Sequence, residues 1–215
     1  MKINLRTLSL IALVAPAFGA AGCSSTRYGD PKDTETVNID WGSTDLQTMT
    51  AKMTESLKNS PALAYFDRPN KEADKRVICY MGKLANQTSE HINTTAITDV
   101  IRTDLLNTGR FRFVADKAGQ EDIGEQVHFQ QESGRFDPAR AMAFGKQIGC
   151  EVIVYGTLSS IEKKKGRSLE SGGSKFEDTY YLLVLNAVNV ETGELMWSDK
   201  GEIRKQQRTG LFGGA

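Results

Sequence analysis

Residues 178–204 force a sheet. Asp178–Val190 (DTYYLLVLNAVNV) is a long β-branched and aromatic run and reads as the longest strand of the chain. Thr192-Gly193 supplies a tight turn, and Glu194–Arg204 (ELMWSDKGEIR) returns as the next strand. A hairpin alone cannot bury its apolar face, so other strands and a helical layer must join it. Glu151–Ile161 (EVIVYGTLSSI) reads as one such strand. Arg76–Leu84 (RVICYMGKL) reads as a buried one, because it is apolar nearly throughout.

The helices follow from spacing. Asp45 is a candidate N-cap, and Leu46, Met49, Met53 and Leu57 then recur on one face until Ser60-Pro61, with a short turn over Pro61–Phe66. Asn86–Ser89 is polar and reads as a loop. Thr94–Asn107 places Ile97, Val100, Ile101 and Leu105 on one side, with Gly109 as its terminator. Arg110–Ala115 (RFRFVA) alternates as a strand. With Arg76–Leu84 it makes a βαβ unit if the two are parallel, or part of an α+β meander if not. Asp116–Ser133 reads as a loose helix plus loop. Asp137-Pro138 opens another helix, with Ala141, Phe144 and Ile148 on one face and Gly149 as its stop. Lys163–Lys175 reads as a mobile loop and Leu211–Ala215 as a frayed end. The fold class is therefore α/β, with α+β as the alternative: a single sheet of four to five strands flanked by helices. The globular domain spans 45–209, followed by a disordered tail over 210–215.

The N-terminus sets the compartment. Lys2 and Arg6 precede an apolar run, Leu8–Phe18, too short for the ~20 residues that cross a bilayer. Gly19, Ala20, Ala21 and Gly22 then lead to Cys23, which resembles a lipobox with Ala20 in place of the usual Leu. Residues 1–22 read as a signal peptide and Cys23 as the lipidation site. An ordinary cleavage after Ala17 or Gly19 is the alternative. Ser24 follows the cysteine where Asp would retain the protein, so the sorting pattern it resembles implies a lipid anchor in the outer membrane, facing the periplasm. Ser24–Thr44 is polar and reads as a flexible tether of 21 residues, at most about 70 Å when stretched. Trp41 is its one adhesive residue, suited to folding back on the domain or to contact.

Composition excludes several functions. The chain carries 27 Lys+Arg and 27 Asp+Glu, and loss of residues 1–22 leaves 25 against 27. Such a balance argues against nucleic-acid binding. Two histidines, His91 and His128, and three cysteines do not suffice for a histidine-rich or zinc-cluster metal site, and no cofactor is implied. Gly156–Ser160 (GTLSS) is not a nucleophile elbow, and Gly166–Gly173 lacks the Lys-Ser/Thr of a phosphate loop. No catalytic residue is assigned. Cys79 and Cys150 could pair in an oxidising compartment or simply pack.

Docking is the remaining possibility. Lys163-Lys164-Lys165 with Arg167, and Arg204-Lys205 with Arg208, stand near the ends of strands and could form one positive patch for an acidic partner, or simply protect a sheet edge. Arg110 and Arg112 flank Phe111 as a second candidate. The Asn86–Asn93 loop follows the first strand, where α/β sheets commonly bind partners.

Four stretches together carry a resemblance: Asp45–Ala64 (DLQTMTAKMTESLKNSPALA), Asn86–Val114, Phe136–Ile161 and Tyr180–Lys205. In their order they resemble the LpoB family of outer-membrane lipoprotein activators. The sheet and the helix-to-strand turn also look like the N-terminal domain of TolB and the periplasmic core of the curli lipoprotein CsgG. The resemblance implies a non-enzymatic regulator that reaches from the outer membrane through the wall to bind and stimulate a bifunctional class A penicillin-binding protein as a monomer. A structural or export lipoprotein of the CsgG class is the alternative. LpoB-type tethers are commonly longer and rich in Pro and Gln, whereas this one has one proline, Pro31.

Overall fold

The computed structural model describes residues 29–31, 33–35, 38–64, 66, 74–135, 149–167 and 173–210. The chain divides into two units, Met1–Asp33 and Thr34–Ala215. In the first, the described residues form a turn in which Asp33 N donates to Asp30 O (3.1 Å). The signal peptide, Cys23, the helix expected from Asp137 and the tail from Leu211 lie outside the described residues.

The second unit is α+β. Its order is α1 (Ser43–Lys58), α2 (Pro61–Ala64), β1 (Val77–Gln87), α3 (Thr94–Asn107), β2 (Phe111–Phe113), α4 (Lys117–Glu132), β3 (Val152–Lys165), β4 (Lys175–Asn189) and β5 (Leu195–Thr209). One mixed sheet runs β2-β1-β3-β4-β5. β1 is parallel to both β2 and β3, so the βαβ reading holds. β4 and β5 then return antiparallel.

α1 packs over β5, and α3 over β1 and β2. The core between them holds Met49, Met53, Leu57, Ile97, Ile101, Leu105, Phe111, Leu158, Tyr181 and Leu183. Strand parity assigns the faces: Val152, Val154 and Leu158 of β3 and Tyr181, Leu183, Leu185 and Ala187 of β4 point to the helices. Full burial of each large aliphatic side chain contributes about 1.5–3 kcal/mol.

Two glycines mark close approaches. A Cβ on Gly156 would stand 2.0 Å from Val184 O of β4, and one on Gly201 would meet Met49 Sδ at 2.9 Å. The β4–β5 turn at Thr192-Gly193 is as expected, with Gly193 at φ +74°.

Several boundaries differ. The residues read as a mobile loop begin later, because β3 runs through Lys165 and β4 starts at Lys175. Opposite charges stand in register across the ladder, Lys163 with Asp178 and Lys164 with Glu177. β5 continues to Thr209 and equals β4 in length. β1 extends into the expected loop as far as Gln87, past an irregularity between Met81 and Leu84. Asp116–Ser133 is no loose helix plus loop: Asp116 caps a sixteen-residue α4 by accepting from Gly119 N (2.9 Å). Gly42, not Asp45, is the N-cap of α1. Asp45 is the third helical residue and reaches back to accept from Gly42 N (2.9 Å). Cys79 and Cys150 are not joined in a disulfide, and Cys79 is buried in the core.

Candidate functional site

The residues ahead of α1 are fastened to the C-terminal end of β1. Trp41 N donates to Glu90 Oε2 (2.9 Å), and the Tyr181 hydroxyl donates to Glu90 Oε1 and contacts Ile39 O at 3.2 Å. The Trp41 ring packs against the core, so this residue of the expected tether folds back. Burial, reinforced by the Glu90 carboxylate, pushes the Tyr181 hydroxyl far above its ordinary pKa, so it stays a donor. Lys205 Nζ donates to Asp40 O (2.6 Å) and forms an ion pair with Asp45, the two side chains being only 12% and 8% exposed. The Asn86–Asn93 loop is braced by its own bonds, with Asn86 Nδ2 donating to Glu90 O (2.9 Å) and Ser89 N to Ser160 Oγ (3.3 Å). Beside it lies a cleft of about 320 Å³ lined by Trp41, Leu46, Glu90, His91 and Ile92.

The expected basic patch divides by strand parity. Lys163 and Arg204 lie on the face away from the helices, where Ile161 aligns with Tyr180 and Arg204, Lys163 with Asp178 and Gln206, and Lys165 with Phe176 and Arg208. Lys164 and Lys205 lie on the helix side. Lys164 pairs there with Glu162 (3.2 Å), which raises its pKa, and Lys205 is taken up by Asp45. Arg167 is exposed past the end of β3. Residues adjacent in the sequence of a strand lie on opposite faces, so the cations of one run do not share a surface.

Arg204 Nε donates to both Asp178 oxygens (3.0 and 3.1 Å), and this contact lowers the Asp178 pKa. The Arg208 guanidinium stacks 5.3 Å from the Phe176 ring centroid and donates to Ser174 Oγ (3.3 Å). Ile161 and Phe176 are exposed apolar residues of this face, absent from the candidates that the sequence suggests. The signal was present, since 161, 163 and 165 continue the alternation of β3.

Arg110 and Arg112 are elsewhere. β2 is the far edge of the sheet, four strand spacings or roughly 19 Å from β5. Arg110 donates to Lys58 O (2.7 Å) at the end of α1, and Arg112 pairs with Asp74 (3.2 Å), whose carboxyl is held far below its usual range chiefly by Arg76. Both arginines have positioning duties within the fold. His91 is exposed, and His128 Nδ1 lies 3.1 Å from Glu132 Oε1 on the outside of α4. Among the described residues no three His, Cys, Asp or Glu side chains gather as metal ligands.

A family profile described as peptidoglycan-synthase activator LpoB matches residues 45–203. The penicillin-binding protein activator LpoB of Dickeya dadantii (strain 3937) is 24% identical over 132 residues, 60% of this chain and 57% of that protein. This chain thus aligns with little more than half the length of that relative. Among solved structures, the C-terminal domain of Escherichia coli LpoB covers 74% of this chain and 97% of its own, with 16% identity and a TM-score of 0.38. The solution structure of E. coli LpoB covers 95% and 91%, with 14% identity and a TM-score of 0.39.

Proposed function

This chain belongs to the LpoB family of peptidoglycan-synthase activators, and from that premise we propose that it is a non-enzymatic regulator that binds and stimulates a bifunctional class A penicillin-binding protein. The observation that carries the reading is the span of the family match, residues 45–203, which runs from the start of α1 into β5 and so takes in the sheet and both helices of the core. Stimulation by a bound protein is a population shift: the activator has the higher affinity for the productive conformation of the synthase and raises its occupancy by that difference.

Acylation at Cys23 would hold the domain at the outer membrane, facing the periplasm. Several acyl chains at ~0.8 kcal/mol per buried CH₂ make a firm anchor. Release of the signal peptide leaves the chain from Cys23 to the fastened Trp41 as the leash on which the domain reaches its partner. It acts as a monomer in this scheme.

The test is co-purification of the full chain with the cognate class A synthase, followed by crosslinking mass spectrometry. A stoichiometric complex with crosslinks to residues 45–209 supports the reading. Failure of the two proteins to associate overturns it.

A further inference from the structure

The last three cross-strand rows of β3, β4 and β5, on the face turned from the helices, present Lys163, Lys165, Arg204 and Arg208 against the single carboxylate of Asp178. Ile161 is 59% exposed there and Phe176 39%. An exposed isoleucine and phenylalanine among the cations of one surface are a different composition from a solvated strand end, which keeps charge and sheds apolar area. Arginine with aromatic side chains is also the mixture enriched at protein interfaces.

Two of the cations are held in place. Arg204 is bidentate to Asp178, and Arg208 is stacked on Phe176 and bonded to Ser174. Side chains already ordered lose little conformational entropy when a partner arrives. Lys163 and Lys165 stand on β3 in the same rows, whereas on the helix side Lys164 and Lys175 are each balanced by a glutamate, Glu162 (3.2 Å) and Glu177 (2.9 Å). A surface of one sign cannot close on its own copy, because like charges would be opposed across the two-fold axis.

We propose that this face of the β3-β4-β5 ribbon is a docking surface for an acidic protein surface, carried by the class A synthase. The inference rests on the activator reading and adds to it which face engages and with what charge. Ile161 and Phe176 supply the apolar contact, and the four cations supply steering and register. Arg110 and Arg112, at the other edge of the sheet, have no part in it.

The experiment titrates the full chain in detergent against the cognate synthase at low and high salt, in three forms: unaltered, K163E/K165E, and K164E/K175E, which makes the same charge change on the other face of the same ribbon. Thermal unfolding of each form checks that the fold is kept. Weakening of about tenfold or more in K163E/K165E, with loss of salt dependence, and a change within about twofold in K164E/K175E are expected. Equal weakening in both variants overturns the face, since only overall charge would then matter. Unchanged binding by K163E/K165E overturns the face and leaves the activator reading standing, whereas no binding by the unaltered chain overturns both. A K163E/K165E protein that still binds the synthase but no longer sediments with phosphatidylglycerol vesicles assigns the face to lipid and overturns the proposal.

Discussion

The ring of Trp41 meets that of Tyr181 edge-on, with centroids 5.3 Å apart and planes inclined at 70°. Glu90 binds both residues, taking the Tyr181 hydroxyl on one carboxylate oxygen and Trp41 N on the other. Three distant stretches thereby become one clasp: the entry to α1, the loop after β1 and the middle of β4. Tyr181→Phe leaves one oxygen of the half-buried Glu90 without its donor, at an expected cost of about 1 kcal/mol. Trp41→Ala loses the aromatic contact and its apolar area, at a similar cost of roughly 1–3 kcal/mol. Urea unfolding measures both, and the double variant should cost less than the sum, because the two residues share a partner.

The Asp45–Lys205 ion pair spans α1 and β5 with both side chains nearly out of solvent. Lys205→Met leaves the Asp45 carboxylate buried and unmatched, and an expected loss of about 3–5 kcal/mol follows. Asp45→Asn combined with Lys205→Met removes both charges and should recover a good part of it. Equilibrium unfolding of the two forms decides this; a double variant no more stable than the single contradicts the account.

Gly156 is required by the closeness of β4. An alanine there sets its methyl carbon against Val184 O, and the ladder must open. Gly156→Ala is expected to destabilise by about 1–3 kcal/mol or more. Gly193→Ala, strained only by φ +74° in an open turn, should cost about 1 kcal/mol. Thermal melts of the two variants rank them.

Acid should weaken the fold. Asp178 is held low chiefly by Arg204, Glu202 chiefly by Tyr180, and Asp199 chiefly by Ser56. A carboxyl whose pKa is lower folded than unfolded adds stability above its unfolded value, and that stability fades as pH falls through the folded value. Stability is therefore expected to be level near neutrality and to decline below about pH 4, where free carboxylates titrate. Asp178→Asn should flatten part of that decline, as read from urea midpoints across pH.

The elements legible in the sequence are those whose signals are local. α3 begins and ends at the residues that the apolar spacing indicates, because Asn93 caps it by accepting from Thr95 N (3.1 Å) and its buried face is Ile97, Ile101 and Leu105. β4 and its turn announce themselves by alternation and by Gly193. The prolongation of β3 through Lys165 was hidden by charge: three lysines look like a solvated loop until the facing Glu177 and Asp178 are known. The clasp and the Asp45–Lys205 pair were illegible for another reason. Glu90 and Tyr181 are 91 positions apart, and no local pattern records which distant side chain a carboxylate will meet. The cationic surface was half visible, since its letters were recognised but not their division between two faces.

The central claim is that this domain raises the output of a synthase by binding it. The direct measurement is the rate of glycan polymerisation by the purified cognate class A penicillin-binding protein, with and without the full chain, at saturating substrate. A several-fold rise that saturates with the amount of chain added is the expected result. A rate that stays at the level of the synthase alone, with both proteins folded, contradicts it.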